Sequence, residues 1–216
     1  MKTRRTTLAY LLLAFMFAPL AAWAEYTEGV EYIEVPRQPV ETGAKIEVRE
    51  FFWYGCPHCY HLEPVLASWR KTLTPKAEFV RSPAIFRDTW GIHARAYFAL
   101  QALGMAEKLD SAVFKAIHEQ NRFLDSETDL TAFMVEQGVD EKRFSDAFHS
   151  FSMEKSLKRA VELQKLYSIN SVPTFVVDGR YLTSPALTHG NEEVVKVLDF
   201  LLAKAAKERK KNPAPR

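Results

Sequence analysis

The chain has 216 residues, 47% hydrophobic and 26% charged, the proportions of an ordinary globular protein rather than a disordered or fibrous one. That length carries one domain with a good core or two small ones, and no internal repeat or long low-complexity segment is present. With 29 Lys and Arg against 27 Asp and Glu, the chain lacks the strongly basic footprint of a nucleic-acid binder.

In chain order, the first 24 residues stand apart. Lys2, Arg4 and Arg5 form a basic start, Leu8 to Leu20 an apolar run, and Ala22-Trp23-Ala24 an A-x-A site. This is the pattern of a bacterial-type secretory signal peptide cleaved after Ala24, which predicts export to the periplasm. The alternative, an uncleaved anchor helix, is disfavoured because the run is short for a membrane span. Without residues 1–24, which hold those three basic residues and no acid, 26 basic residues face 27 acidic ones. Lys204, Lys207, Arg209, Lys210, Lys211 and Arg216 cluster in the tail, leaving a mildly acidic body. The basic tail reads as a solvated helix end that complements the helix dipole.

Glu25 to Gly43 is a polar arm broken by Pro36 and Pro39, with a short edge strand near Tyr32–Val35. Lys45 to Tyr54 is the clearest strand. Ile46, Val48, Glu50 and Phe52 share one face; Glu47, Arg49, Phe51 and Trp53 share the other. Glu50 therefore sits among apolar neighbours, an anomaly. Gly55 ends the strand, and a helix begins at the following cysteine motif with Pro57 in its first turn. Pro64 is expected to kink this helix, which should end near Leu73 before Thr74-Pro75. Ala77 to Ile85 is a second strand carrying Arg81, completing a βαβ unit.

Residues 88–168 read as helices only. Ile92, Ala96, Ala99 and Leu103 have helical spacing up to Gly104, and Ala106 to Asn121 follows. Ser126-Glu127-Thr128-Asp129 resembles a capping box before a helix that stops at Gly138; Asp140–Phe148 and Met153–Tyr167 complete the set. The β pattern returns at Val172 to Val177, turns at Asp178-Gly179, and pairs back through Arg180–Thr183. Asn191 is expected to cap a last helix with an apolar stripe of Val194, Val197, Leu198, Leu201 and Leu202. The predicted domains are a signal peptide (1–24), two parts of one α/β domain (25–87 and 169–216), and a helical insert (88–168).

Cys56 and Cys59 are the only cysteines, in the motif Cys56-Pro57-His58-Cys59. In an exported protein two cysteines usually mean a structural disulfide, yet this ring is so small that it removes little entropy from the unfolded chain. A zinc site needs about four ligands, and no second cysteine pair exists. Redox chemistry is the better reading, and Cys-x-x-Cys at a helix start after a strand is the thioredoxin-like placement. Unpaired N–H groups and the dipole at a helix N-terminus stabilise a thiolate. Cys56 is thus expected to be the exposed, attacking sulfur and Cys59, one turn on, the inward resolving partner. His58 favours the Cys56 thiolate by charge or hydrogen bond; Pro57 stiffens the turn.

Glu50 lies beneath the pair. It either relays the proton of Cys59 or is a structural acid paired with a strand neighbour such as Arg81. Val172-Pro173 opens a strand, where a proline is either an ordinary edge residue or a cis-proline facing the disulfide. His61, His93, His118, His149 and His189 show no ligand spacing and read as surface or satisfied core residues, so no metal or cofactor is expected. Trp53, Tyr54 and Tyr60 are either core or the wall of a peptide groove.

Glu50-Phe51-Phe52, the CPHC motif with Tyr60, Val172-Pro173 and the helical insert together resemble the DsbA family of thiol:disulfide interchange proteins of Gram-negative bacteria. Phe52-Trp53-Tyr54-Gly55 and Ala84-Ile85-Phe86 look like its pseudomonad-type members, and the resemblance runs from Tyr26 to the last helix. It implies a thioredoxin-like α/β fold with an inserted all-helical domain. It also implies a Cys56–Cys59 disulfide donated to unfolded exported proteins through a mixed disulfide at Cys56, and a monomer reoxidised by a membrane quinone-linked DsbB-type oxidase. Val172 and Pro173 would be the cis-proline loop lining the substrate groove, and Glu50 the buried acid. Arg81 stands where many members have Lys; an arginine does not deprotonate, so a proton shuttle through that position is not expected. Rival readings are weaker. His58 argues against a thioredoxin-like reductase, and too little chain precedes the first strand for the dimerisation domain of a DsbC-type isomerase. A further rival is a periplasmic peptide-holding or copper-binding module using the cysteines as ligands, and the absence of Met or His pairs near the motif weighs against metal.

Overall fold

The computed structural model describes residues 26–211; the expected signal peptide, its cleavage site and Arg216 lie outside them. A five-stranded mixed sheet has the order β1-β5-β4-β2-β3, with β1 Ile33–Glu34, β2 Ile46–Phe52, β3 Ala77–Pro83, β4 Thr174–Val177 and β5 Tyr181–Thr183. β2 is parallel to β3, from Ile46 opposite Ala77 to Phe52 opposite Pro83, and antiparallel to β4. Helix α1 (Pro57–Arg70) makes the crossover between the parallel strands, which a parallel pair requires. β4 and β5 form a hairpin at Asp178-Gly179. Both turn residues have positive φ, 54° and 65°, and the Arg180 N–H donates to the Val177 carbonyl at 3.0 Å, the type I′ arrangement that Asp-Gly favours.

Five consecutive helices separate β3 from β4: α2 Asp88–Ala102, α3 Ala106–His118, α4 Glu127–Glu136, α5 Glu141–Phe148 and α6 Phe151–Leu166. Short polar caps delimit them. Ser126, Asp140 and Ser150 accept the N–H of Asp129, Arg143 and Met153 at the starts of α4, α5 and α6, filling donors a helix start leaves open. After β5 come a one-turn helix α7 (Pro185–Thr188), which sequence periodicity did not indicate, and α8 (Asn191–Lys211). Among the described residues no helix is long and apolar enough to cross a membrane.

Several boundaries differ from expectation. α1 continues through Pro64 and stops at Arg70, three residues short of Leu73. Asn191 is not the cap of α8 but its first helical residue; the Gly190 carbonyl accepts the Val194 N–H (3.1 Å), so Gly190 holds the cap position. All seven residues of β2 are buried, on both faces. Its period-2 charges are explained by pairing. The Arg49 guanidinium donates to Glu47 (2.8 Å) and to Glu41 (2.7 Å), and Glu41 also accepts from Arg159 on α6 (2.8 Å). A central strand covered on both sides keeps charges only where they are paired.

Two main cores result. One joins Ile46 and Val48 of β2 with Leu62, Leu66 and Trp69 of α1 and Val194, Val197, Leu198 and Leu201 of α8. The other fills the insert with Leu100, Phe114, Leu130, Met134, Phe144 and Phe148, and it is continuous with Phe52, Tyr54, Cys56 and Cys59. The insert's core therefore ends against the cysteine pair.

Candidate active site

Between β2 and α1 the chain must turn sharply within Trp53-Tyr54-Gly55. The Cys56 N–H closes the turn on the Trp53 carbonyl (3.0 Å). The Trp53 indole lies over Gly55, where a Cβ would stand 2.3 Å from the ring, and it stacks flat on Trp90 of α2 (centroids 4.1 Å apart, 7° between planes). A ring wedged flat against Trp90 yields only at a cost, so this position favours glycine. Cys56 then occupies the cap position of α1 with extended backbone, Pro57 is the first helical residue, and no acid stands in the first turn.

Cys56 is less open than expected. It is 7% exposed, Cys59 is 0% exposed, and both are free thiols. The cover comes from the Val172-Pro173 loop: that peptide bond is cis, and the Cys56 thiol donates to the Val172 carbonyl at 3.5 Å. The family resemblance implied a cis-proline loop here; spacing alone gives no hint of the contact, because 116 residues separate the partners. Cys56 is still the more accessible sulfur.

Electrostatics separate the two thiols more sharply than exposure does. The Cys56 thiol is pulled down from its ordinary 9.0 to about 6. The hydrogen bond from the Cys59 thiol contributes most, burial opposes it, and the N–H groups of Cys59 and His58 add to it. The charge of His58 is the smallest of these contributions. Burial pushes Cys59 well above the usual thiol range, and its bond to Cys56, the Cys56 charge and then that of Glu50 add to the rise. One thiolate and one thiol form the favoured reduced pair.

Glu50 is fully buried on β2. One carboxylate oxygen accepts from Arg81 Nε (2.8 Å); the other, Oε1, has no protein partner. Burial raises this carboxyl to about 7 against the pull of Arg81, and the charge of Glu63 adds to the rise. Glu50 is thus held by Arg81 through one oxygen only. Arg81 also reaches Glu63 of α1 and Asp110 of α3 (3.2 Å), and Asp110 in turn accepts from the Tyr54 hydroxyl.

The aromatic neighbours divide. Tyr54 is core, 1% exposed, whereas Trp53 and Tyr60 are half-buried. His118, which sequence spacing left unassigned, donates from Nε2 to the Tyr54 carbonyl (2.7 Å) and stacks on Tyr60 (4.9 Å, 13°). His93 is buried, with Nε2 3.1 Å from the Phe123 and Leu124 carbonyls; His149 pairs with Glu127 (2.7 Å). No group of three or more metal-ligating side chains occurs among the described residues. Glu63 follows Cys56 by seven residues, two turns along one helix face, a usable signal in the sequence. Asp110, His118 and Trp90 had none, because only the packing of the insert brings them to the motif.

The profile of the DSBA-like thioredoxin domain family matches residues 47–201. The chain is 36% identical over 204 residues to the thiol:disulfide interchange protein DsbA of Pseudomonas aeruginosa, covering 94% of this chain and 97% of that one. It is 45% identical over 166 residues to the DsbA of Burkholderia cepacia, covering 76% and 78%. The crystal structure of P. aeruginosa DsbA superposes with a TM-score of 0.82, covering 86% of this chain and 97% of that one. For the DsbA oxidoreductase of Xylella fastidiosa the TM-score is 0.79 at 32% identity, covering 84% and 98%. The chain belongs to the DsbA family. It is a protein-disulfide oxidoreductase with the thioredoxin-like fold and helical insertion of that family.

Proposed function

We propose that the Cys56–Cys59 disulfide is given to newly exported proteins in the periplasm and restored by a membrane DsbB-type quinone oxidoreductase. The observation that carries this reading is the split between the two sulfurs, Cys56 lowered to about 6 and Cys59 raised. A stabilised thiolate stabilises the reduced pair, and that makes the disulfide an oxidant.

In the proposed cycle a substrate thiolate attacks Cys56 Sγ. The S–S bond breaks, and Cys59 leaves with the electron pair. Leaving at Cys59 requires one proton, because a thiolate is unfavourable at that buried position; Glu50, with its unpartnered oxygen, supplies it. A second substrate thiolate then attacks the substrate sulfur of the mixed disulfide and expels Cys56 as a thiolate. The substrate gains a disulfide and loses two electrons and two protons; the pair keeps both electrons and one proton. Low basicity makes Cys56 a good leaving group, so the second step runs toward release. Val172 and Pro173, against Cys56, present the backbone edge on which an extended substrate segment lies. The Cys56-centred groove serves the substrate and the oxidase in turn, and the protein acts as a monomer without cofactor or nucleic acid.

The test is a thiolate titration of the reduced protein by ultraviolet absorbance, joined to equilibration with glutathione. The expected result is a Cys56 midpoint near 6 and a pair that oxidises glutathione more readily than thioredoxin does. A midpoint near 8 with a thioredoxin-like equilibrium would remove the oxidant assignment.

A further inference from the structure

Arg81 is the single guanidinium of a buried cluster, and each of its three nitrogens takes a different carboxylate: Nε takes Glu50, Nη2 takes Glu63 and Nη1 takes Asp110. Glu50 and Glu63 belong to the thioredoxin-like part, on β2 and α1. Asp110 comes from α3 of the insert, is 8% exposed, and holds the Tyr54 hydroxyl with its other oxygen. Tyr54 stands two residues before Cys56. The same carboxylate thus touches the cation that compensates Glu50 and the turn that carries Cys56. One cation against three acids leaves the cluster short of positive charge, so the acids compete for it.

We propose that Asp110 is a positioning residue of the redox site, which by drawing on Arg81 governs how firmly Glu50 keeps the proton exchanged with Cys59. This rests on the proton role of Glu50 proposed above. When Asp110 is ionised it takes part of the Arg81 charge, and Glu50 holds its proton more firmly. When Asp110 is neutral, the whole guanidinium turns to Glu50 and Glu63, and Glu50 gives the proton up. The charged and titratable groups that face Glu50 directly are Arg81 on β3, Glu63, Arg70 and Cys59 on α1 and Tyr97 on α2, while Asp110 on α3 reaches it through Arg81. Only Asp110 and Tyr97 come from the insert, and Asp110 alone of the two makes an ion pair with Arg81. The insert thereby acts on the chemistry of the pair and not only on its cover.

The experiment measures the pH profile of the glutathione equilibrium for the full chain and for Asp110→Asn, Tyr54→Phe, Glu50→Gln and the Asp110→Asn/Glu50→Gln double variant. Asp110→Asn is expected to move the inflection due to Glu50 down by about one pH unit, the scale of a nearby opposite charge. In the Glu50→Gln background Asp110→Asn should have no inflection left to move, the mark of coupling between the two sites. Tyr54→Phe weakens the ionised form of Asp110 without removing it, so it should move the inflection the same way by less. If Asp110→Asn does not fold, Tyr54→Phe decides. A folded Asp110→Asn, or failing that Tyr54→Phe, with the wild-type inflection overturns the inference while Glu50→Gln still alters the profile. A Glu50→Gln profile identical to wild type removes the proton role itself, and the inference with it.

Discussion

Cys56 and Cys59 are one side chain in two electrostatic settings. Cys56 takes hydrogen bonds from a thiol and from the N–H groups of a helix start, while Cys59 sits one turn on with no exposure and a buried acid nearby. Hydrogen bonds to the charged form lower a pKa, and burial with a like charge raises it. Because the Cys59 thiol contributes most to the Cys56 thiolate and the charge of His58 least, the two substitutions should rank accordingly. His58→Ser is expected to raise the Cys56 midpoint by less than about one unit and make the disulfide slightly less oxidising. Cys59→Ala is expected to raise the midpoint further. Rates of iodoacetamide alkylation against pH check the ranking, and a larger effect from His58→Ser would reverse it. That a thiolate would form at Cys56 was legible from Cys-x-x-Cys at a helix start; which neighbour does most was not, since His58 is adjacent in sequence but exposed to solvent.

At the scale of elements, the turn between β2 and α1 decides where the cysteines point. Its geometry depends on Gly55 lying under the Trp53 indole, which Trp90 clamps from α2. Gly55→Ala forces either the ring or the turn to move, at an expected cost of about 1–3 kcal/mol, as for other overpacked sites. Denaturant unfolding measures the loss, and the Cys56 midpoint should change with it; an unchanged stability would show that the Trp53–Trp90 stack yields freely. The alternation of Ile46 to Phe52 was enough to place β2, and Asp178-Gly179 enough to place the hairpin. The burial of both faces of β2 was not legible, because period-2 alternation looks alike whether charges meet water or meet Arg49 and Arg81. Likewise α8 could be read from its apolar stripe, while its start at Gly190 depends on a backbone carbonyl that any residue could supply.

For the whole molecule, the buried carboxyls make stability depend on pH. Glu50 is raised from 4.5 to about 7, and burial raises Glu63 and Asp110 too. Between about pH 4.5 and 7 the folded state holds the Glu50 proton that the unfolded chain has released. Stability from this group is therefore present at low pH and falls as pH rises through that window. Glu50→Gln removes the dependence, so its stability relative to wild type should improve with rising pH, by at most about 1.4 kcal/mol per pH unit. Urea unfolding across the window tests this, and a constant difference between the two proteins would contradict it. The same packing explains why the insert matters to the site: its core runs without a break into Phe52, Tyr54 and the cysteines, so Asp110, His118 and Trp90 arrive as a unit.

By itself the sequence determined the local features. The redox motif, the strand–helix order, the hairpin, the run of insert helices and the anomaly of an acid among apolar strand residues all rest on neighbours within a few positions, where periodicity and turn chemistry act. Tertiary structure decided the contact of the Val172 carbonyl with Cys56, where the family resemblance implied only a facing cis-proline loop, and it alone decided the sharing of Arg81 among three acids and the seating of Asp110 against Tyr54. Those contacts join residues 18 to 116 positions apart. Their energies come from burial and charge competition, which have no period along the chain and exist only once the insert has closed on the sheet.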